Sequence, residues 1–220
     1  MYNLEPEPGV TLLRREFLRL SAGALGSLLL GGCAARKPVS PITWDEFVKE
    51  LAPRAESLLA QKMNEDAYVA AVVERLRRVD PALVPPVKQL PREKLFLVTE
   101  FRFAEGKGFR YHDHRQYNGV IFAMEGAVRC RNFDVVDGDA AGPAGTRVRI
   151  RETASVTLVP GEASTLTTSR DNIHDVRGGA GGGRVLDIFT WMGPQHRSVY
   201  LDVNEIPVDR EAKVYEGCYR

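Results

Sequence analysis

The chain has 220 residues and a formal net charge of +1, with 44% apolar residues. That length and apolar content suit one main domain with modest additions. The near-neutral charge gives no basis for a nucleic-acid partner and none for an acidic one. The 20 glycines and 13 prolines fall mainly after residue 80, which predicts a turn-rich chain of short strands there.

The first 33 residues are set apart as a targeting segment. Arg14 and Arg15 precede Glu16-Phe17-Leu18 and an apolar stretch too short to span a bilayer comfortably. The order resembles a twin-arginine export signal. Leu30-Gly31-Gly32-Cys33 resembles a bacterial lipoprotein box, in which Cys33 would be acylated. These resemblances imply export of a folded protein and a lipid tether on the periplasmic side of the membrane. Two cysteines remain, Cys130 and Cys218. In an oxidising compartment they can pair, but the sequence does not place them within bonding distance.

Residues 34–92 read as a linker and a helical layer. Thr43-Trp44-Asp45-Glu46 has the pattern of a capping box. Phe47, Val48, Leu51, Leu58 and Leu59 follow at helical spacing, and Pro53 predicts a kink or restart. Asn64 can cap a second helix with Tyr68, Val72, Val73 and Leu76 on one face, ending near Asp80-Pro81. These helices are expected to be a packing layer.

From residue 93 to 220 the period is two. Strands are expected over Leu95–Phe103, Phe109–His114, Gly119–Ala123, Ala127–Phe133, Arg147–Arg151, Ser155–Val159, Ile173–Arg177, Val185–Trp191 and Ser198–Val203. Eight or nine short strands predict a mainly β fold, a closed sandwich or barrel of jelly-roll type. The glycine run Gly178–Gly183, broken only by Ala180, reads as a hairpin-like connection. It lacks the lysine and the following helix of a phosphate loop.

The chemistry concentrates in histidine, of which the chain has only four. Alternation along a strand places His112 and His114 on one side, about 7 Å apart, a spacing that suits two ligands of one ion. Arg110 is expected on that side, with Tyr111 and Asp113 opposite. His174 lies in a later apolar run, and His196 reads as a surface residue.

Gly106, His112, His114, Gly119 and Gly126 have the spacing of the first cupin motif, and the chain resembles that family there. Where many cupins carry a glutamate ligand, this chain has Gly119. The second motif departs further, with Ser169 and Asp171 in place of Pro-x-Gly. Ala127–Asp134, Asn172-Ile173-His174 and Val185–Ile188 resemble segments of the thiol dioxygenases, in the branch of plant cysteine oxidases and 2-aminoethanethiol dioxygenase. The likeness covers about residues 94–192.

That resemblance implies a cupin jelly-roll barrel with Fe(II) held by His112, His114 and His174. Asp187 matches an acidic residue near the family's site and is the candidate catalytic group. Arg110 and Tyr117 are candidates for binding substrate. The implied partners are O2 and a small thiol or cysteine-containing substrate, and the resemblance is compatible with a monomer. The alternatives are an exported cupin that binds a metal or small molecule without catalysis, and a cupin enzyme acting on non-thiol substrates.

Overall fold

A computed structural model of the chain describes residues 40–84 and 96–220. The signal segment and Cys33 lie outside the described residues. Among the described residues no helix is long and apolar enough to cross a membrane.

The helical layer forms as its caps predict. Helix α1 spans Trp44–Leu59 and α2 spans Glu65–Leu76. The Thr43 hydroxyl accepts the Glu46 amide while the Glu46 carboxylate accepts the Thr43 amide, closing the capping box. Asn64 accepts the Ala67 amide at the start of α2. Pro53 neither breaks nor restarts α1, which runs through it as one helix. A short 3-10 turn, Pro81–Leu83, follows α2.

The rest is one antiparallel sheet of eight strands: β1 Phe96–Phe103, β2 Gly108–Asp113, β3 Tyr117–Asp137, β4 Arg147–Leu158, β5 Ala163–Leu166, β6 Ile173–Trp191, β7 Leu201–Val203 and β8 Val214–Tyr219. The hydrogen-bonded order is β1-β6-β3-β4-β8-β7, with β2 added to β6 and β5 to β3. The bridges Arg115–Arg197 and His112–Tyr200 return the segment leading into β7 to the β2 side, so the sheet curls back toward itself. The mainly β fold with a helical layer is therefore as expected.

Three differences concern turns. The pairs of strands expected on either side of residues 124–126, 152–154 and 178–184 are single long strands, β3, β4 and β6, and β3 and β6 bend together. The register shifts at both sides of Gly126, whose φ is +65°. A Cβ there would lie 2.3 Å from the Gly182 carbonyl oxygen, so the close approach of the two bends requires glycine. The glycine run is thus part of a bent strand pair rather than a free connection.

Three apolar clusters hold these elements. Phe47, Leu51, Tyr68, Val72 and Leu76 of the helices pack with Val98, Val120, Phe122, Leu186 and Ile188 of the sheet. Burying each such side chain contributes roughly 1.5–3 kcal/mol. The Tyr68 hydroxyl reaches Thr190 at 2.7 Å within that interface. A second cluster gathers Phe103, Ile121, Val128, Cys130 and Val176. A third joins Tyr111, Phe133, Ile150, Ile173, Leu201 and Tyr215 on the other face of β2, β3 and β6. Cys130 is buried, Cys218 is half-buried, and among the described residues both are free thiols. Burial pushes the Cys130 thiol up to about 12, so it behaves as a small apolar residue.

A buried three-histidine centre

His112 on β2 and His174 on β6 are direct cross-strand partners, and His114 follows β2 by one residue. The three rings lie 4.5–4.9 Å apart, centroid to centroid. One ligand atom from each lies within 4.8 Å of the others. All three residues are buried.

The hydrogen bonds assign their protons. A carbonyl oxygen can only accept, so the Nδ1 of His112, 2.8 Å from the Arg110 carbonyl, carries a proton. The Nδ1 of His114 likewise donates to the Asn172 carbonyl at 3.1 Å. Both Nε2 lone pairs are thereby turned inward. Among the described residues the buried Nε2 of His114 has no hydrogen-bond partner, an acceptor that a cation would satisfy. The Nε2 atoms of His112 and His174 are 3.0 Å apart. Two nitrogens bound about 2.1 Å from one ion at a right angle would be separated by about 3.0 Å. The donor set fits a metal ion.

Electrostatics agree. Burial pulls the His112 imidazole below its ordinary pKa, against the Arg110 carbonyl, which raises it. Burial and the neighbouring histidines hold His114 and His174 well below the usual range. The rings are therefore neutral near pH 7, the state in which they can ligate. For a metal-free chain the linkage has a definite sign. An unfolded chain takes up three protons as pH falls through about 6.5, and the folded chain does not. Asp187 and Asp113, whose carboxyls burial raises, work in the opposite sense but are fewer than the three histidines. The metal-free protein is thus expected to lose stability as pH drops from about 6.5 to 5.5. Thermal melts in the presence of a chelator check this, and a melting temperature that rises over that interval would contradict it.

Neighbouring elements fix the rings. The Asn172 side chain accepts the His114 amide at 3.2 Å and donates to the His114 carbonyl at 2.9 Å. Asp113, between the two ligands, accepts from Arg115 Nε at 2.7 Å and from the Val199 amide at 2.8 Å. Tyr200 lies over His112 with ring centroids 5.3 Å apart. Phe189 and Tyr117 wall His114. Asn172 is the residue most easily found from the sequence, two positions before His174. Tyr200 and Phe189 carry no such signal.

The other candidates are placed as follows. Tyr117 is buried edge-on to His114, its hydroxyl bonded to Ser198 and its pKa raised by burial. Asp187 is buried in β6 opposite Thr99 and Ile121. Its Oδ1 has no hydrogen-bond partner among the described residues, and burial holds the carboxyl well above the usual carboxylate range. Arg110 does not share the ligand face. One extra residue in β2 shifts the register between Phe109 and His112, so Phe109 takes that side, its ring 6.0 Å from His112. The Arg110 side chain is 61% exposed and pairs with Glu205 at 3.3 Å. Gly119 lies opposite Phe189 and Leu166, and no carboxylate joins the histidine cluster among the described residues. His196 is exposed and stacks on Trp191 at 3.8 Å.

No family model matches the chain, and no curated protein matches it significantly. Solved structures do resemble it. A cupin superfamily protein from Desulfitobacterium hafniense is 16% identical, with a TM-score of 0.34 over 51% of this chain and 87% of that one. An 11S allergen from Cocos nucifera is 14% identical, with a TM-score of 0.36 over 50% of this chain and 28% of its own. A protein from Neisseria meningitidis is 17% identical, with a TM-score of 0.30 over 58% and 97%.

Proposed function

We propose that this chain is a cupin-type metalloprotein that works as an Fe(II)-dependent thiol dioxygenase, converting a thiol and O2 to a sulfinic acid. The observation that carries the reading is a buried cluster of three neutral imidazoles without a carboxylate, at the spacing where Gly119 replaces the usual glutamate. Held there by His112, His114 and His174, a ferrous ion would keep its full positive charge and open positions, which suits an anionic sulfur ligand and dioxygen.

The residues around it support that chemistry. The carbonyls of Arg110 and Asn172 hold two of the rings in the ligating tautomer. Phe109, Tyr117 and Phe189 keep bulk water from the ligand face. Asp187, whose carboxyl burial holds well above the usual carboxylate range, stands on the strand that also carries Phe189 and is the candidate proton donor. The order of Arg14-Arg15, the apolar run and Cys33 supports a location outside the cytoplasm, tethered by lipid.

The test is metal analysis of the purified chain with an oxygen-electrode screen of cysteine, cysteamine and a peptide with N-terminal cysteine. Iron near one equivalent and thiol-dependent oxygen uptake are expected. Uptake that survives His112→Ala would sink the reading. Thermal stabilisation by a ligand with no oxygen uptake would instead identify a binding protein.

A further inference from the structure

Beside His114 the surface opens into a cleft of about 810 Å³. Its floor is His114 and Asn172, its walls Arg115, Gln116, Thr168 and the segment Met192–Gln195 with Arg197. His114 is the one member of the histidine centre that lines it. Among the described residues no acidic side chain lines it. The acids beside the lining are engaged: Asp113 with Arg115 and the Val199 amide, Glu65 with the amide and hydroxyl of Thr168, Asp139 with the Ala141 amide, and Asp171 with Arg170.

Of the two cations in the walls, Arg115 is spent. Its Nε is on Asp113, and its two terminal nitrogens donate to the carbonyls of Ala141 and Gly142 at 2.8 and 2.9 Å. Its guanidinium also lies over the Tyr219 ring. Arg197 pairs with Arg115 through backbone alone. Its side chain is exposed at the cleft and has no hydrogen-bond or salt-bridge partner among the described residues. A guanidinium with no direct partner, in a cleft that no acid lines among the described residues, is a fork for one carboxylate. The cleft also has the volume of sites that bury drug-sized molecules, roughly 300–1,000 Å³. Its remaining polar lining is mostly amide, from Gln116, Asn172 and Gln195, together with the Thr168 hydroxyl.

We infer that this cleft binds an elongated, peptide-sized ligand bearing a carboxylate, with Arg197 as the charge anchor and the other end of the ligand directed toward His114. The inference deepens the metalloenzyme reading and rests on it only for what lies beyond His114.

The experiment measures binding by calorimetry to the full-length chain, both Co(II)-loaded and metal-free. The probes are N-acetyl-Cys-Ala-Gly with a free carboxylate and the same peptide as its C-terminal amide. The acid is expected to bind about fivefold more tightly than the amide, the scale of a partly exposed ion pair. The preference should shrink as salt is raised. Arg197→Gln should remove the preference by weakening the acid alone, with cobalt content unchanged. Equal binding of acid and amide, binding of neither, or an undiminished preference in Arg197→Gln would overturn the inference. A chain that takes up no metal would defeat the enzyme reading instead, and the acid-to-amide ratio on the metal-free chain would still decide this one.

Discussion

Replacing His174 by alanine is expected to lower metal affinity by more than about 100-fold, since even residues that only support a ligand are worth 10–100-fold. His174 stands across the strand pair from His112 and within 4.5 Å, centroid to centroid, of both other rings. Its loss leaves two nitrogens from one short segment, which cannot enclose an ion. The fold should tolerate the change, because a neutral ring with an unpartnered Nδ1 is removed rather than a satisfied one. Asn172→Ala leaves all three ligands and should cost only about tenfold through a loosened His114. Equilibrium dialysis with metal analysis, alongside circular dichroism, reads both. A folded His174→Ala chain that keeps tight, stoichiometric metal would show that the cluster is not the binding site.

Arg131→Met should destabilise the protein by about 3–5 kcal/mol, the cost of breaking a buried ion pair from one side. The Arg131 side chain is 9% exposed and bonds Glu152 at 2.7 Å, the Tyr111 hydroxyl at 2.7 Å and Glu205 at 3.2 Å. It also lies over the rings of Phe133 and Tyr215. Without it, Glu152, itself 8% exposed, keeps only Lys213 at 3.3 Å. The double change Arg131→Met with Glu152→Leu removes both charges and should recover much of the loss. Denaturant titration separates the two. A single variant that loses less than 1 kcal/mol would mean that water or Lys213 already compensates Glu152 in full.

The histidine pair was legible because strand alternation holds locally over His112 to His114. The helices were legible for a similar reason: caps at Thr43 and Asn64 are short-range signals. What failed depended on partners far away in sequence. Arg110 was misplaced because one inserted residue in β2 reverses alternation, and nothing in Gly108-Phe109-Arg110-Tyr111 announces it. The bends of β3 and β6 read as turns because glycine serves both purposes. Only the neighbouring strand decides which. β5 and β8 were missed because Ala163–Leu166 is four residues long and Val214–Tyr219 contains a glycine and a glutamate. Their pairing with β3 and β4 supplies what propensity does not.

The carboxylate of Asp113 ties two things that a ligand would need to meet together. One oxygen grips Arg115, whose backbone pairs with Arg197, and the other grips the Val199 amide. The wall bearing Arg197 and the segment bearing His112 and His114 are therefore pinned by one buried group. Such a site works as a fixed jig, not as a closing lid. Selectivity would be set by the length of the guest between the guanidinium and the imidazole face, and loosening Asp113 would blur that ruler before it emptied the pocket.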